Sequence, residues 1–143
     1  MSSEYVFFLL DSVTELIPFP DDHIRELDWY ADLPMIQRFY RHFGCLDIQP
    51  PDETEPEIGN PIALVQNGEI LSFAIPMYFK KGAVEIGAVA TVPNEQGKGF
   101  CRCVISEIAC RILASGKQAT LTTRTENYAM QAAAKAIGMR QLK

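Results

Sequence analysis

What this chain lacks narrows its function before any motif is considered. No apolar run approaches the roughly 20 residues needed to span a bilayer. The apolar stretch at residues 5–10 is short and has no basic flank of the kind a signal peptide carries, so no membrane association and a cytoplasmic location are expected. Positive charge is in deficit: 13 Lys and Arg stand against 18 Asp and Glu, a net charge of −5. A nucleic-acid partner would favour a basic stripe, so none is expected, whereas an acidic balance suits a cationic substrate such as an amine. Histidine is limited to His23 and His42, which show no partner spacing, and no HExxH or serine-nucleophile pattern occurs. The cysteines are Cys45, Cys101, Cys103 and Cys110. Three fall on one predicted helix, where Cys101 and Cys103 do not share a face. With no matching ligand pair elsewhere, they read as free thiols packing a helix on a sheet, and no metal site is expected.

What is present suits an ordinary globular protein. Hydrophobic residues make up 48% and charged residues 22% of 143, enough for a single domain over residues 1–143 with a real core. Residues 1–20 fit two patterns. Val6, Leu9, Leu10, Val13, Leu16 and Ile17 have helical spacing, while residues 5–10 also fit a short buried strand; the helix is the preferred reading. Residues 23–28 are expected to form the first core strand. Residues 33–43 read as a helix, with Pro34 in a tolerant first turn. Residues 47–60 hold three prolines and five acids and read as a loop.

Strands are expected at residues 62–66 and 69–79, joined by the hairpin pair Asn67-Gly68. Pro76 cannot donate to a ladder, so it should lie at a bulge or beyond the paired region. A further strand over residues 83–92 is dense in Ala and β-branched residues. A helix follows from Phe100, with Val104, Ile105, Ile108, Ile112 and Leu113 on its apolar side. A strand at residues 118–123 precedes a helix from Glu126 or Asn127 to about Ile137, closed by Gly138. The order is α/β with mixed strand directions.

Residues 85–100 carry the chemistry. The strand ends at Pro93-Asn94, and Gln96-Gly97-Lys98-Gly99 then bares main-chain N–H groups at the start of a helix. Such a loop holds a phosphate or pyrophosphate, with Lys98 as a cation at the rim. A P-loop is excluded, because Lys98 lies between the two glycines. A dinucleotide fingerprint fits poorly, because Arg102 occupies its third glycine position. A plain strand-to-helix turn could also use these glycines.

The whole arrangement resembles motif A of the GNAT superfamily of acyl-CoA-dependent N-acetyltransferases, Gln/Arg-x-x-Gly-x-Gly/Ala. Gln96, Gly99 and Cys101 stand in the named places, with Cys101 in place of the usual Gly or Ala. The similarity runs from about residue 61 to 139. It implies a mixed, mostly antiparallel central sheet flanked by helices. The family usually adds two strands after the last helix, but here only residues 139–143 remain. That short C-terminus implies either a truncated domain or a partner chain, such as a second copy in a homodimer, completing the sheet edge.

The resemblance also implies a site. Acetyl-CoA would lie between the strands at residues 83–92 and 118–123. Gln96, Gly97, Lys98, Gly99, Phe100 and Cys101 would meet its pyrophosphate, Ala90, Thr91 and Val92 its pantetheine, and Asn127 would contact it from the last helix. Glu85 stands where some members place a general base. The Tyr that many relatives use to protonate the leaving thiolate is Ala134 here, and residues 47–60 match a region that often walls the acceptor pocket. The implied activity is acetyl transfer from acetyl-CoA to a primary amine of a small molecule or peptide. The alternative is a non-catalytic acyl-CoA-binding module.

Overall fold

The computed structural model describes residues 4–142. One seven-stranded sheet runs in the order β2-β3-β4-β5-β6-β1-β7. In chain order its strands are β1 (Tyr5–Leu10), β2 (Ile24–Glu26), β3 (Ile62–Gln66), β4 (Glu69–Lys80), β5 (Ala83–Thr91), β6 (Gln118–Arg124) and β7 (Arg140–Leu142). Helix α1 (Leu33–Arg41) joins β2 to β3, α2 (Phe100–Ala114) joins β5 to β6, and α3 (Tyr128–Ala136) joins β6 to β7. Every neighbouring pair is antiparallel except β5 and β6. Among the described residues no helix is long and apolar enough to cross a membrane.

Both faces are packed, but unequally. Val104, Ile105 and Ile108 of α2, with Ala134 and Ile137 at the end of α3, meet Phe8, Leu10, Val84, Ile86 and Leu121 of the sheet. On the opposite face α1 sets Ile36 and Phe39 against Phe73, Val92 and the buried Trp29. The half of that face formed by β6, β1 and β7 has no helix over it, and Tyr5, Phe7 and Leu142 stay exposed there.

The central elements lie where the sequence predicts them. Asn67 and Gly68 both take positive φ, 53° and 75°, as the tight hairpin between β3 and β4 requires. Pro76 lies inside β4, yet beyond the end of β3, whose pairing stops at Ala74. The Pro76 carbonyl accepts from Gly59 N–H at 2.9 Å on that free edge. Gly138 closes α3 at φ +100°, and a Cβ there would lie 2.1 Å from the Glu15 carbonyl oxygen.

The ends of the chain differ from expectation. Residues 5–10 form a strand, not a helix. β1 pairs along its whole length with β6, from Tyr5↔Arg124 to Leu10↔Ala119. Burying Phe8 and Leu10 on one face and leaving Phe7 half out is a period of two, which a helix cannot satisfy. Val13 and Ile17 then fall in a connection rather than on a helical stripe, and Ile17 N–H donates to the Ile137 carbonyl at 2.8 Å. Residues 23–28 do not supply the first core strand either. β2 is a three-residue edge strand with Arg25 and Glu26 exposed, while the buried Leu27 and Trp29 lie past its end.

One strand, β7, follows α3, and β1 inserts between it and β6. The N-terminal segment thus lies between the two strands that flank α3 in the chain.

Candidate active site

β5 and β6 are the one parallel pair, and they separate. Register holds for Ala83↔Gln118, Val84↔Ala119 and Glu85↔Thr120, then stops, although β5 continues to Thr91 and β6 to Arg124. A bulge in β5 sharpens the divergence. Between Ile75↔Gly87 and Phe73↔Ala90, β5 carries one residue more than β4, and Ala88 takes φ +52°. A non-glycine residue in that region costs about 1–2 kcal/mol. Gly87 beside it has no room for a side chain, since a Cβ would lie 2.6 Å from Met77 Sδ. The result is a gap between two strands with unpaired main-chain edges, and a cavity opens on each face of it.

The first cavity, about 460 Å³, lies between the N-termini of α2 and α3. After Thr91 the chain makes a 3-10 turn over Pro93–Glu95, and Gln96 Nε2 donates back to the Thr91 carbonyl at 3.2 Å, fixing the loop. Gly97 and Gly99 follow at φ +82° and +85°. Among the described residues no side chain caps α2, so the N–H groups of Phe100, Cys101 and Arg102 remain without partners there and carry the positive end of the helix dipole. This loop fits an anionic phosphate group.

Eight of the ten residues expected to hold a coenzyme line this cavity: Ala90, Thr91, Gln96, Gly97, Gly99, Phe100, Cys101 and Asn127. Two do not. Val92 is 3% exposed in the core under α1, and its N–H already donates to the Leu71 carbonyl at 2.9 Å. Lys98 Nζ lies 2.6 Å from Glu95 Oε2 at the surface, so its charge is matched locally. The cation that lines the cavity is Arg102, whose guanidinium stacks on the Phe19 ring at 5.1 Å and packs beside Gly99. The signal for Arg102 was a cationic residue in the first turn of a helix whose N-terminus would otherwise disfavour it.

The remaining site residues are also placed. Asn127 Oδ1 accepts from Met130 N–H at 3.2 Å, so Asn127 caps α3 while lining the cavity. Burial pushes the Cys101 thiol up to about 11, so it is a neutral packing group at neutral pH. Ala134 is fully buried in the core, and Tyr128 is 76% exposed. Neither position brings a phenol to the gap.

The second cavity, about 360 Å³, lies on the other face. Its orientation follows from alternation: Val84 and Ile86 pack toward α2, so Glu85 between them points away. Glu85 Oε1 accepts from Thr120 Oγ1 and Thr122 Oγ1, both at 3.3 Å. These are long for O–H···O contacts, and they orient the carboxylate without saturating it. Neither Lys80 nor Lys81 pairs with Glu85 among the described residues, although Lys80 lines the same trough. Residues 47–60 contribute nothing to its lining. Phe7, Met77, Phe79 and Leu142 do, and only the strand order brings them together.

Known proteins match this geometry. The FR47-like protein family matches residues 67–143, which include the gap and the glycine loop. A GNAT-family acetyltransferase structure from Novosphingobium aromaticivorans is similar at a TM-score of 0.78 and 17% identity, over 99% of this chain and 60% of that one. The ribosomal-protein-alanine N-acetyltransferase from Escherichia coli is similar at a TM-score of 0.63 and 20% identity, over 84% of this chain and 78% of that one. An aminoglycoside acetyltransferase from an uncultured soil metagenomic sample matches at 0.59 and 15%, over 79% and 85%. This chain thus spans about 60% of the length of the Novosphingobium protein. No curated protein sequence matches it. With the family matched over more than half its length and the sheet parted at the strand pair that carries the glycine loop, the chain belongs to the FR47-like family of the GNAT superfamily.

Proposed function

We propose that this protein is an N-acetyltransferase that moves an acetyl group from acetyl-CoA to a primary amine by direct attack in a ternary complex. The observation that carries this reading is the gap between β5 and β6. It has unpartnered N–H groups on one face and an oriented carboxylate on the other. The names of the similar proteins from Escherichia coli and the soil sample, both acetyltransferases acting on amine-bearing acceptors, support the same class.

Gly97, Gly99, Phe100 and Cys101 would hold the pyrophosphate through main-chain N–H groups, with Arg102 as the cation beside them. The unpaired edge of β5 at Ala90 and Thr91 would hold the pantetheine as an added strand does. A main-chain donor at that edge would polarise the thioester carbonyl, a contribution of about 3 kcal/mol where geometry is good. Acetyl-CoA supplies the activated acyl group.

Glu85 would take one proton from the substrate ammonium, freeing the nitrogen lone pair. The N–C bond then forms, the C–S bond breaks, and the amide nitrogen loses its second proton to solvent. With Ala134 in the core, CoA leaves as a thiolate and takes its proton from water; a thiol pKa near 8.5 makes that departure easy.

The test is release of CoA thiol across a panel of amines, paired with calorimetric titration of acetyl-CoA. Glu85→Gln is expected to lower kcat by about a hundredfold or more while leaving coenzyme affinity unchanged. A second reading, an acyl-CoA-binding module without turnover, is favoured by one feature, the missing phenol at Ala134. Coenzyme binding with no thiol release from any amine would establish that reading instead. No heat at millimolar coenzyme would defeat both.

A further inference from the structure

The lining of the trough around Glu85 bears on which amine it would accept; this rests on the acetyltransferase reading above. Its walls are set by strand register. Met77 lies opposite Glu85, and Glu85 opposite Thr120. Thr122 lies opposite Phe7, and Phe7 opposite Leu142. Directly opposed residues project to the same face. Two rows of side chains therefore cross the uncovered half of the sheet and converge on one carboxylate, with Phe79 beside them.

The polar content of this trough is small and ordered. The hydroxyls of Thr120 and Thr122 both lie 3.3 Å from Oε1 of Glu85, with Thr120 also 3.4 Å from the Val84 carbonyl, and no threonine contacts Oε2, which is left to receive an ammonium. Among the described residues no other carboxylate lines the trough, and the one further charged residue lining it is Lys80. Phe7 and Phe79 are 51% and 57% exposed, and Leu142 41%, so apolar surface lies open to a ligand rather than buried against the protein.

We propose that the acceptor is a primary amine bearing a single positive charge on an alkyl or aryl body. The ammonium pairs with Glu85, and the body covers Phe7, Phe79 and Leu142 and removes them from water. A second ammonium on the same body would lie against these apolar side chains and near Lys80, where no second carboxylate among the described residues lines the trough. Polyamines and multiply charged aminoglycosides are therefore poor acceptors, even though they are amines.

The matched pair hexylamine and 1,6-diaminohexane differs only in that second charge. On the full chain saturated with acetyl-CoA, kcat/KM for hexylamine is expected to exceed that for the diamine by about tenfold or more. Phe7→Ser, on the exposed face of β1, is expected to raise KM for hexylamine about tenfold and to shift that for the diamine less than about twofold. Phe79→Ser repeats the test from a different strand. Equal use of the two amines, or preference for the diamine, overturns the proposal.

A readout that needs no turnover separates this proposal from the activity it rests on. Methyl resonances of Thr120 and Thr122 should shift on titration with hexylamine, and at about tenfold lower concentration than with the diamine. Absence of any shift with hexylamine, or equal response to both amines, overturns the selectivity. Absence of coenzyme binding by calorimetry, with the methyl response intact, overturns the acetyltransferase reading alone.

Discussion

The two cavities that meet at the β5–β6 gap are made of different material. The one between α2 and α3 offers free main-chain N–H groups at the start of α2 and is lined by a nearly continuous run from Glu95 to Arg102 with Asn127 across from it. The one around Glu85 is centred on a side-chain carboxylate and draws Phe7, Met77, Glu85, Thr120 and Leu142 from five different strands. A main-chain site tolerates most substitutions that leave its backbone conformation alone, because its donors are common to every residue. A side-chain site changes with each residue in it. One fold can thus keep one face of the gap constant while the opposite face varies with its side chains.

Filling the loop should break this contrast most sharply. Gly99 sits at φ +85°, and even a Cβ there would lie 2.9 Å from Arg102 Nη2. Gly99→Trp is expected to weaken acetyl-CoA binding by about a hundredfold or more, equivalent to about 2.8 kcal/mol. Titration calorimetry reads this directly, and the threonine methyl response to hexylamine should survive. Loss of both at once would show that the two faces are not independent.

A smaller effect should isolate the one side chain that contributes charge to the main-chain site. Arg102→Ala is expected to weaken acetyl-CoA binding by about tenfold, the scale of a charge-assisted hydrogen bond. Lys98→Ala, which removes a cation already paired with Glu95, should change it less than about threefold, as surface ion pairs contribute little. If Lys98→Ala is the more damaging of the two, the cavity has been assigned the wrong cation.

The smallest expected signal concerns Cys101, which stands where the motif usually has Gly or Ala. Burial holds its thiol up to about 11, while Cys110 on the same helix is exposed. Iodoacetamide at pH 8 should therefore label Cys110 well before Cys101, a difference that peptide mass mapping resolves. Because the folded value is raised, the protein favours the neutral thiol. That contribution is complete below the ordinary thiol range near 9.0 and is lost as pH rises toward 11. Rapid labelling of Cys101 would mean the loop opens far more often than its packing suggests.

Legibility in the sequence follows the same division. The Asn67-Gly68 hairpin, the glycine loop and the α2 stripe were readable because each is specified by residues within one turn of one another. Glu85 was readable as a charge within an apolar strand. The bulge at Gly87-Ala88 was not, because Ala88 carries no local mark of a positive φ and the extra residue shows only against β4. Residues 5–10 were misread because their apolar spacing satisfies two periods at once. Pairing with β6 decided between them, and that partner lies more than a hundred residues away in the chain. Lys98 and Val92 are neighbours in sequence of the cavity-lining residues, but an ion pair holds Lys98 at the surface and core packing holds Val92, and neither lines the cavity.

By itself, then, the chain's order of residues determined a loop rich in free N–H donors between a strand and a helix, since backbone freedom at glycine and helix-end polarity are local properties. Tertiary structure alone decided that the first strand would slot between the last two. It also decided that the parallel pair would part beyond Glu85, and that Phe7 and Leu142, from opposite ends of the chain, would line the trough beside that carboxylate. These outcomes depend on hydrogen-bond register between distant segments, and register is fixed only when the strands are paired and one face is buried.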